Sequence, residues 1–185
     1  MNVSINLWTD IALLIIFDAA EFESSGAEPD TFFTFEENKD VQDGRYAFVD
    51  LGGDQTFRLR ITDDQLTARE REHLNETLGP LGLVISSGRA YVSGMDTPGE
   101  LPDDYARHGA GGFFSLEPGE YNLFVHEMDM VSLPKDDHEE LPDYVMELHP
   151  RREPFPGVSI EPRFNGGRDF ERLMEELEGN RQNGH

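Results

Sequence analysis

Short apolar runs separated by turn-forming residues set the fold class of this chain. Residues 3–7, 11–17, 45–51, 56–61, 82–86, 89–93, 112–116 and 120–130 each read as a strand, with Gly, Pro, Asp or Ser between most of them. In one run Phe57, Leu59 and Ile61 alternate with Arg58 and Arg60, a period of two that turns one face to the core and the other to water. The run 11–17 is apolar on both faces and is expected in the middle of a sheet. Trp8-Thr9-Asp10 reads as a turn, and Gly52-Gly53-Asp54 and Ser86-Ser87-Gly88 read as hairpin connections. Glu117-Pro118-Gly119-Glu120 predicts a further hairpin, with Pro118 presetting φ and Gly119 supplying a positive φ.

Two helices are expected. Residues 67–78 open with Thr67 and carry Glu70 three positions on, the pattern of a capping box. Their apolar content is thin, Leu74 and Leu78, so this helix belongs on the surface. Near the end of the chain Phe170, Leu173, Met174 and Leu177 fall at i, i+3, i+4 and i+7, and Gly179 follows as a stop. Residues 131–168, rich in proline and acids, are expected as loop wrapped on the sheet, with a strand at 144–148. The expected fold is mainly β: an antiparallel β-sandwich or distorted barrel with one short surface helix and a C-terminal amphipathic helix. Residues 1–179 form one β-rich domain in this reading and 180–185 a frayed tail.

Composition narrows the function. The 185 residues contain 38 acidic and 15 basic side chains, a net charge of −23. The acids are spread evenly, 19 in residues 1–100 and 19 in 101–185, so the whole surface is acidic. A phosphate-binding face needs clustered cations, so neither nucleic acid nor an anionic membrane is an expected partner. Lysine is confined to Lys39 and Lys135. That pattern suits either a salt-adapted cell, where screening removes self-repulsion, or an acidic face that meets a basic partner. There is no cysteine, which excludes disulfides, thiolate metal sites and a cysteine nucleophile. The run 11–17 is too short to span a bilayer and is flanked by Asp10 and Asp18 with no preceding Lys or Arg, so it reads as a buried strand of a cytoplasmic protein.

Several segments invite a chemical reading. Leu66-Thr67-Ala68-Arg69-Glu70-Arg71-Glu72-His73-Leu74 resembles the opening helix of LuxR-type helix-turn-helix domains. The chain then continues Gly79-Pro80-Leu81-Gly82-Leu83-Val84-Ile85, turn and strand instead of a recognition helix, and the net charge opposes DNA. His126-Glu127-x-Asp129 has ligand-type residues, but on a strand His126 and Met128 share one face and Glu127 and Asp129 the other. Asp136-Asp137-His138-Glu139-Glu140 reads as a solvated charged loop whose four carboxylates suit, at most, weak cation binding. His108-Gly109-Ala110-Gly111-Gly112 lacks the Gly-Lys-Ser/Thr of a phosphate loop. The six histidines form no readable triad, and no Gly-x-Ser-x-Gly elbow occurs. The residues therefore specify no catalytic set, no metal site, no cofactor and no oligomeric state.

Two stretches carry a family likeness. Ser87-Gly88-Arg89-Ala90-Tyr91-Val92, followed by Gly112-Phe113-Phe114-Ser115-Leu116-Glu117-Pro118-Gly119-Glu120-Tyr121, is similar to bacterial β-rich domains of the competence protein J type and to uncharacterised domains near immunity genes. The family example is a small acidic inhibitor of a nuclease. The resemblance implies a non-enzymatic β-sandwich and carries no inhibitory residue over. Two functions fit these features. The first is an acidic binding protein, an inhibitor or immunity-type partner of a basic protein, whose face is 131–147 with Asp136, Asp137, Glu139, Glu140 and Asp143. The alternative is a small enzyme or ligand-binding domain of a salt-adapted bacterium with a pocket beneath residues 94–112.

Overall fold

A computed structural model describes residues 1–9, 12–20, 39–53, 55–94, 111–133, 141–153, 155 and 163–164. The strands are β1 (Asn2–Thr9), β2 (Leu13–Asp18), β3 (Tyr46–Asp50), β4 (Gln55–Thr62), β5 (Leu74–Ile85), β6 (Arg89–Ser93), β7 (Gly111–Ser115), β8 (Gly119–Met128) and β9 (Tyr144–Pro150). Two short helices, α1 (Lys39–Gln42) and α2 (Ala68–Glu72), accompany them. One sheet has five strands in the order β1-β4-β9-β8-β5, the other four in the order β3-β2-β6-β7. The fold is thus a β-sandwich. All pairs are antiparallel except β4 with β9.

The main core lies between the sheets. Leu7, Phe57, Leu59, Ile61, Leu83, Leu123, Val125, Met146 and Leu148 of the five-stranded sheet face Leu14, Ile16, Ala47, Val49, Ala90, Val92 and Phe114 of the other. Each buried Leu, Ile or Phe contributes about 1.5–3 kcal/mol relative to exposure. The alternation read at residues 57–61 holds: Phe57, Leu59 and Ile61 are buried, and Arg58 and Arg60 lie on the opposite face. β2 is interior to its sheet, as its two apolar faces require. Its second face joins Ile15 and Phe17 to Tyr46, Phe48 and Tyr91 in a separate aromatic cluster, with Trp8 and Phe113 packed against it. The four-stranded sheet is therefore apolar on both sides, whereas the outer face of the five-stranded sheet carries Arg60, His126, Glu147 and His149.

The tight turns are not hairpins. β3 and β4, β5 and β6, and β7 and β8 each belong to different sheets, and so do β1 and β2. The connections at Gly52-Gly53, Ser86-Ser87-Gly88 and Glu117-Pro118 are arches that carry the chain across the core. A few residues suffice because stacked sheets lie only about 10 Å apart. Gly119 opens β8 outside the left-handed region, so the expected positive φ is absent. Pairing within the four-stranded sheet comes instead from long connections, β2 to β3 and β6 to β7.

The expected helix 67–78 is shorter than its sequence suggested. The capping box is present: the Glu70 amide donates to Thr67 Oγ1 at 3.2 Å and the Thr67 amide to Glu70 Oε2 at 2.7 Å. The helix stops at Glu72, and Leu74, Thr77 and Leu78 pair with Met128, His126 and Val125 of β8. With only two apolar residues available to dock a longer helix, sheet pairing prevails. The strand expected at 144–148 is β9, central in its sheet between β4 and β8. The C-terminal helix of Phe170, Leu173, Met174 and Leu177 lies outside the described residues.

Candidate functional site

The segment expected to meet a partner begins where β8 leaves the five-stranded sheet. The Asp129 amide donates to the His73 carbonyl at 2.7 Å, tying this exit to the start of β5. Asp129 Oδ1 accepts the Ser132 amide at 3.1 Å and Oδ2 accepts the Ser132 hydroxyl. These bonds hold the Asp129 carboxyl below its ordinary range and close a tight loop. Val131 sits in that loop 97% exposed. Leu74, beside Met128 in the register, is also exposed, and these two are the large hydrophobic side chains that stand in water among the described residues. Leu133 and Leu141 are both buried, so the chain is anchored on either side of the acidic run. Asp136, Asp137, Glu139 and Glu140 themselves lie outside the described residues, as do residues 95–110 of the segment expected to cover a pocket in the alternative reading.

Asp143 is built into the sheet. Its Oδ2 accepts the Arg58 amide at 2.6 Å, its own amide donates to the Arg58 carbonyl at 2.9 Å, and its carbonyl accepts the Met128 amide at 2.9 Å. The Arg58 guanidinium donates to the Leu141 carbonyl. Asp143 therefore fixes where the acidic segment rejoins β9.

His126, Glu127 and Asp129 do not converge, as the strand alternation requires. Glu127 Oε2 accepts from Asn75 Nδ2 at 2.6 Å, and burial pushes its carboxyl above the ordinary value. Asp129 is held by Ser132, and His126 points to the outer face of the sheet. No group of three His, Asp or Glu side chains among the described residues is placed to hold a metal ion.

The outer face nonetheless assembles a set of side chains that no local motif announces. His126 Nδ1 lies 2.8 Å from Thr77 Oγ1 on β5, and His126 Nε2 lies 3.1 Å from Glu147 Oε2 on β9. The other oxygen, Oε1, is 2.6 Å from His149 Nε2. The Phe124 ring stacks on His126 at 6.5 Å and meets His149 edge-on at 6.2 Å. A carboxylate can only accept, so both imidazoles present Nε2–H to Glu147. His126 Nδ1 is then bare, and the Thr77 hydroxyl donates to it. Burial lowers the His126 pKa against the opposing pull of Glu147, which keeps the ring neutral at pH 7. Three strands adjacent in space but distant in sequence supply these residues, so no spacing in the chain reveals them.

Comparison with known proteins places this architecture. The structure of crocagin biosynthetic gene J matches with a TM-score of 0.51 and 16% identity, over 82% of this chain and 98% of that one. ComJ, inhibitor of the DNA degrading activity of NucA, from Bacillus subtilis, matches with a TM-score of 0.47 and 8% identity, over 80% of this chain and 96% of that one. ComJ is the family example toward which the motifs at 87–92 and 112–121 pointed. At such identities the likeness is one of fold. No curated protein matches the sequence. A family model does: the chain belongs to the family of unknown function DUF6386, which matches residues 1–141.

Proposed function

We propose that this protein acts by binding, as an acidic, cytoplasmic inhibitor-type partner of a basic protein, through the end of the five-stranded sheet where β8 gives way to residues 131–147. The observation that carries the reading is Val131, 97% exposed on a hydrogen-bonded turn of a chain with net charge −23. An apolar side chain held in water by a fixed loop presents contact area with little ordering cost. Asp136, Asp137, Glu139 and Glu140 follow within ten residues of it and are the acids that would steer a cationic surface. Asp143 anchors the far end of that face through Arg58. The inhibitor part of the reading rests on the family likeness of the two motifs.

The test begins with capture of binding proteins from lysate at low and high salt. On-rates of the recovered partner are then measured for wild type, for a variant with the four acids changed to Asn and Gln, and for Val131→Ala. Steering acids slow association when neutralised, and the difference shrinks as salt rises. The apolar anchor speeds dissociation when truncated. Equal on-rates at low salt for wild type and the neutralised variant would sink the face. The partner's own activity, DNA degradation included, is assayed with and without the protein to test inhibition.

A further inference from the structure

We propose that Thr77 is an activated hydroxyl on the outer face of the five-stranded sheet, a site of covalent modification that accepts the acyl group of an activated ester. The inference goes beyond the binding reading and does not depend on it.

Three observations carry it. Thr77 is an exposed residue, so an ester can approach it from solvent. Its hydroxyl is 2.8 Å from a bare imidazole nitrogen, the arrangement in which a neighbouring base takes the proton as the oxygen attacks. The base is itself held from behind: Glu147 fixes the tautomer of His126 at 3.1 Å, and His149 fixes Glu147 at 2.6 Å. All four side chains stand on paired strands, which locate them better than loops would. The His126 and Glu147 side chains are 9% and 11% exposed, so the base and its support are largely withdrawn from water, whereas Thr77 as a residue is exposed.

The step balances without a cofactor. Thr77 Oγ1 bonds to the ester carbonyl carbon and its proton passes to His126 Nδ1. The ester C–O bond breaks, and the departing oxygen takes the bonding pair and then the proton from His126. The products are acyl-Thr77 and an alcohol or phenol. Thr77 and His126 touch the reacting atoms. Glu147 and His149 are positioning residues.

The charged groups around His126 shape its pH response. Glu147 on β9 and Glu70 on α2 favour its protonation, and Arg60 on β4 opposes it together with burial. The rate of acylation is expected to rise with pH through a midpoint below about 6.5, the ordinary histidine value.

The experiment treats the full chain with p-nitrophenyl acetate, follows p-nitrophenol release and maps the acetyl group by peptide mass spectrometry. Acetylation of Thr77 is expected, retained in Thr77→Ser and absent in Thr77→Val. His126→Gln lowers its rate about 100-fold, as expected when a positioned general base is removed. Glu147→Gln shifts the pH midpoint, which a purely structural role would not do. Acetyl groups confined to Lys39, Lys135 or the N-terminal amine overturn the proposal, and so does undiminished Thr77 labelling in a folded His126→Gln variant. A second measurement needs no variant: nitrogen-15 NMR of His126 is expected to find the proton on Nε2, and a proton on Nδ1 in the neutral ring overturns the assignment.

Discussion

Asp18, the last residue of β2, accepts both the backbone amide and the hydroxyl of Ser86, at the point where the chain leaves β5 for β6. The same carboxylate accepts the Ser87 amide at 2.9 Å, the Ser87 hydroxyl, and the Ala20 amide at 2.9 Å. One side chain, 2% exposed, thus ties the four-stranded sheet to the arch that leaves the five-stranded one. Without it, the amides and hydroxyls of the exposed Ser86 and Ser87 would turn to water and the arch would lose its tie to β2.

Asp18→Ala is therefore expected to cost about 2 kcal/mol, since hydrogen bonds to a charged acceptor are the strong kind and these would be exchanged for bonds to water. Urea unfolding checks this. A loss below about 0.5 kcal/mol would mean that the arch holds without Asp18.

The same carboxyl makes stability depend on pH. Burial alone would raise its pKa, but the hydroxyls of Ser86 and Ser87 and the amides of Ala20 and Ser86 outweigh burial and hold it far below the ordinary value. A depressed folded-state pKa means that the unfolded chain binds the proton first. The stabilisation is present in full above the unfolded value of about 3.9 and is lost as pH falls below it. Wild type is expected to lose more stability than Asp18→Asn between about pH 4 and 2. Parallel curves for the two would remove the linkage.

The turn glycines separate what local chemistry reveals from what it conceals. Gly119, expected at positive φ, takes an ordinary conformation, and a Cβ there would meet the Tyr121 ring at 3.6 Å, an easy contact. Gly79, inside β5, has φ +125°, and its Cβ would come within 2.6 Å of the Leu123 carbonyl. Gly79→Ala is expected to destabilise by at least about 2 kcal/mol, through both backbone strain and the clash. Gly53→Ala, with open space around it, and Gly119→Ala are expected within about 0.5 kcal/mol of wild type. Thermal melts of the three variants give the order.

Strand identity was legible because Phe57, Leu59 and Ile61, or the two-faced run around Leu14 and Ile16, carry their burial in their spacing. Sheet membership was not. Pro118 and Gly119, or Ser87 and Gly88, turn the chain with the same chemistry whether it pairs back on itself or crosses to the other sheet, and only the long-range partners of β7 and β8 decide. Helix length failed for a related reason. Thr67 and Glu70 mark a start, but the end was set by β8 pairing with Leu74 and Thr77 from across the sheet. The Thr77, His126, Glu147 and His149 set was illegible because it exists only once β5, β8 and β9 lie side by side. Its one sequence signal is weak: His126 and Glu147 each occupy a polar position within an apolar strand.

An ion pair between β4 and α2 joins the sheet to the helix. Glu70 receives Arg60 Nε at 2.5 Å and Arg60 Nη2 at 2.7 Å, a two-point pairing in which the side chains are 3% and 11% exposed. Burial would raise the Glu70 pKa, but Arg60 and the Thr67 amide and hydroxyl hold it below its ordinary value. Glu70 thus serves α2 and β4 at once. Removing it alone strands a guanidinium out of water, so Glu70→Ala is expected to cost about 3–5 kcal/mol. Thr67→Ala removes only the reciprocal cap and is expected to cost about 1 kcal/mol. The double change Arg60→Met with Glu70→Leu leaves no buried charge and is expected to be more stable than Glu70→Ala, although it lacks both the pair and half of the cap. Urea titrations of the three variants decide the matter. A double variant no more stable than Glu70→Ala would show that the loss comes from the helix cap, and that Arg60 finds other partners when Glu70 is gone.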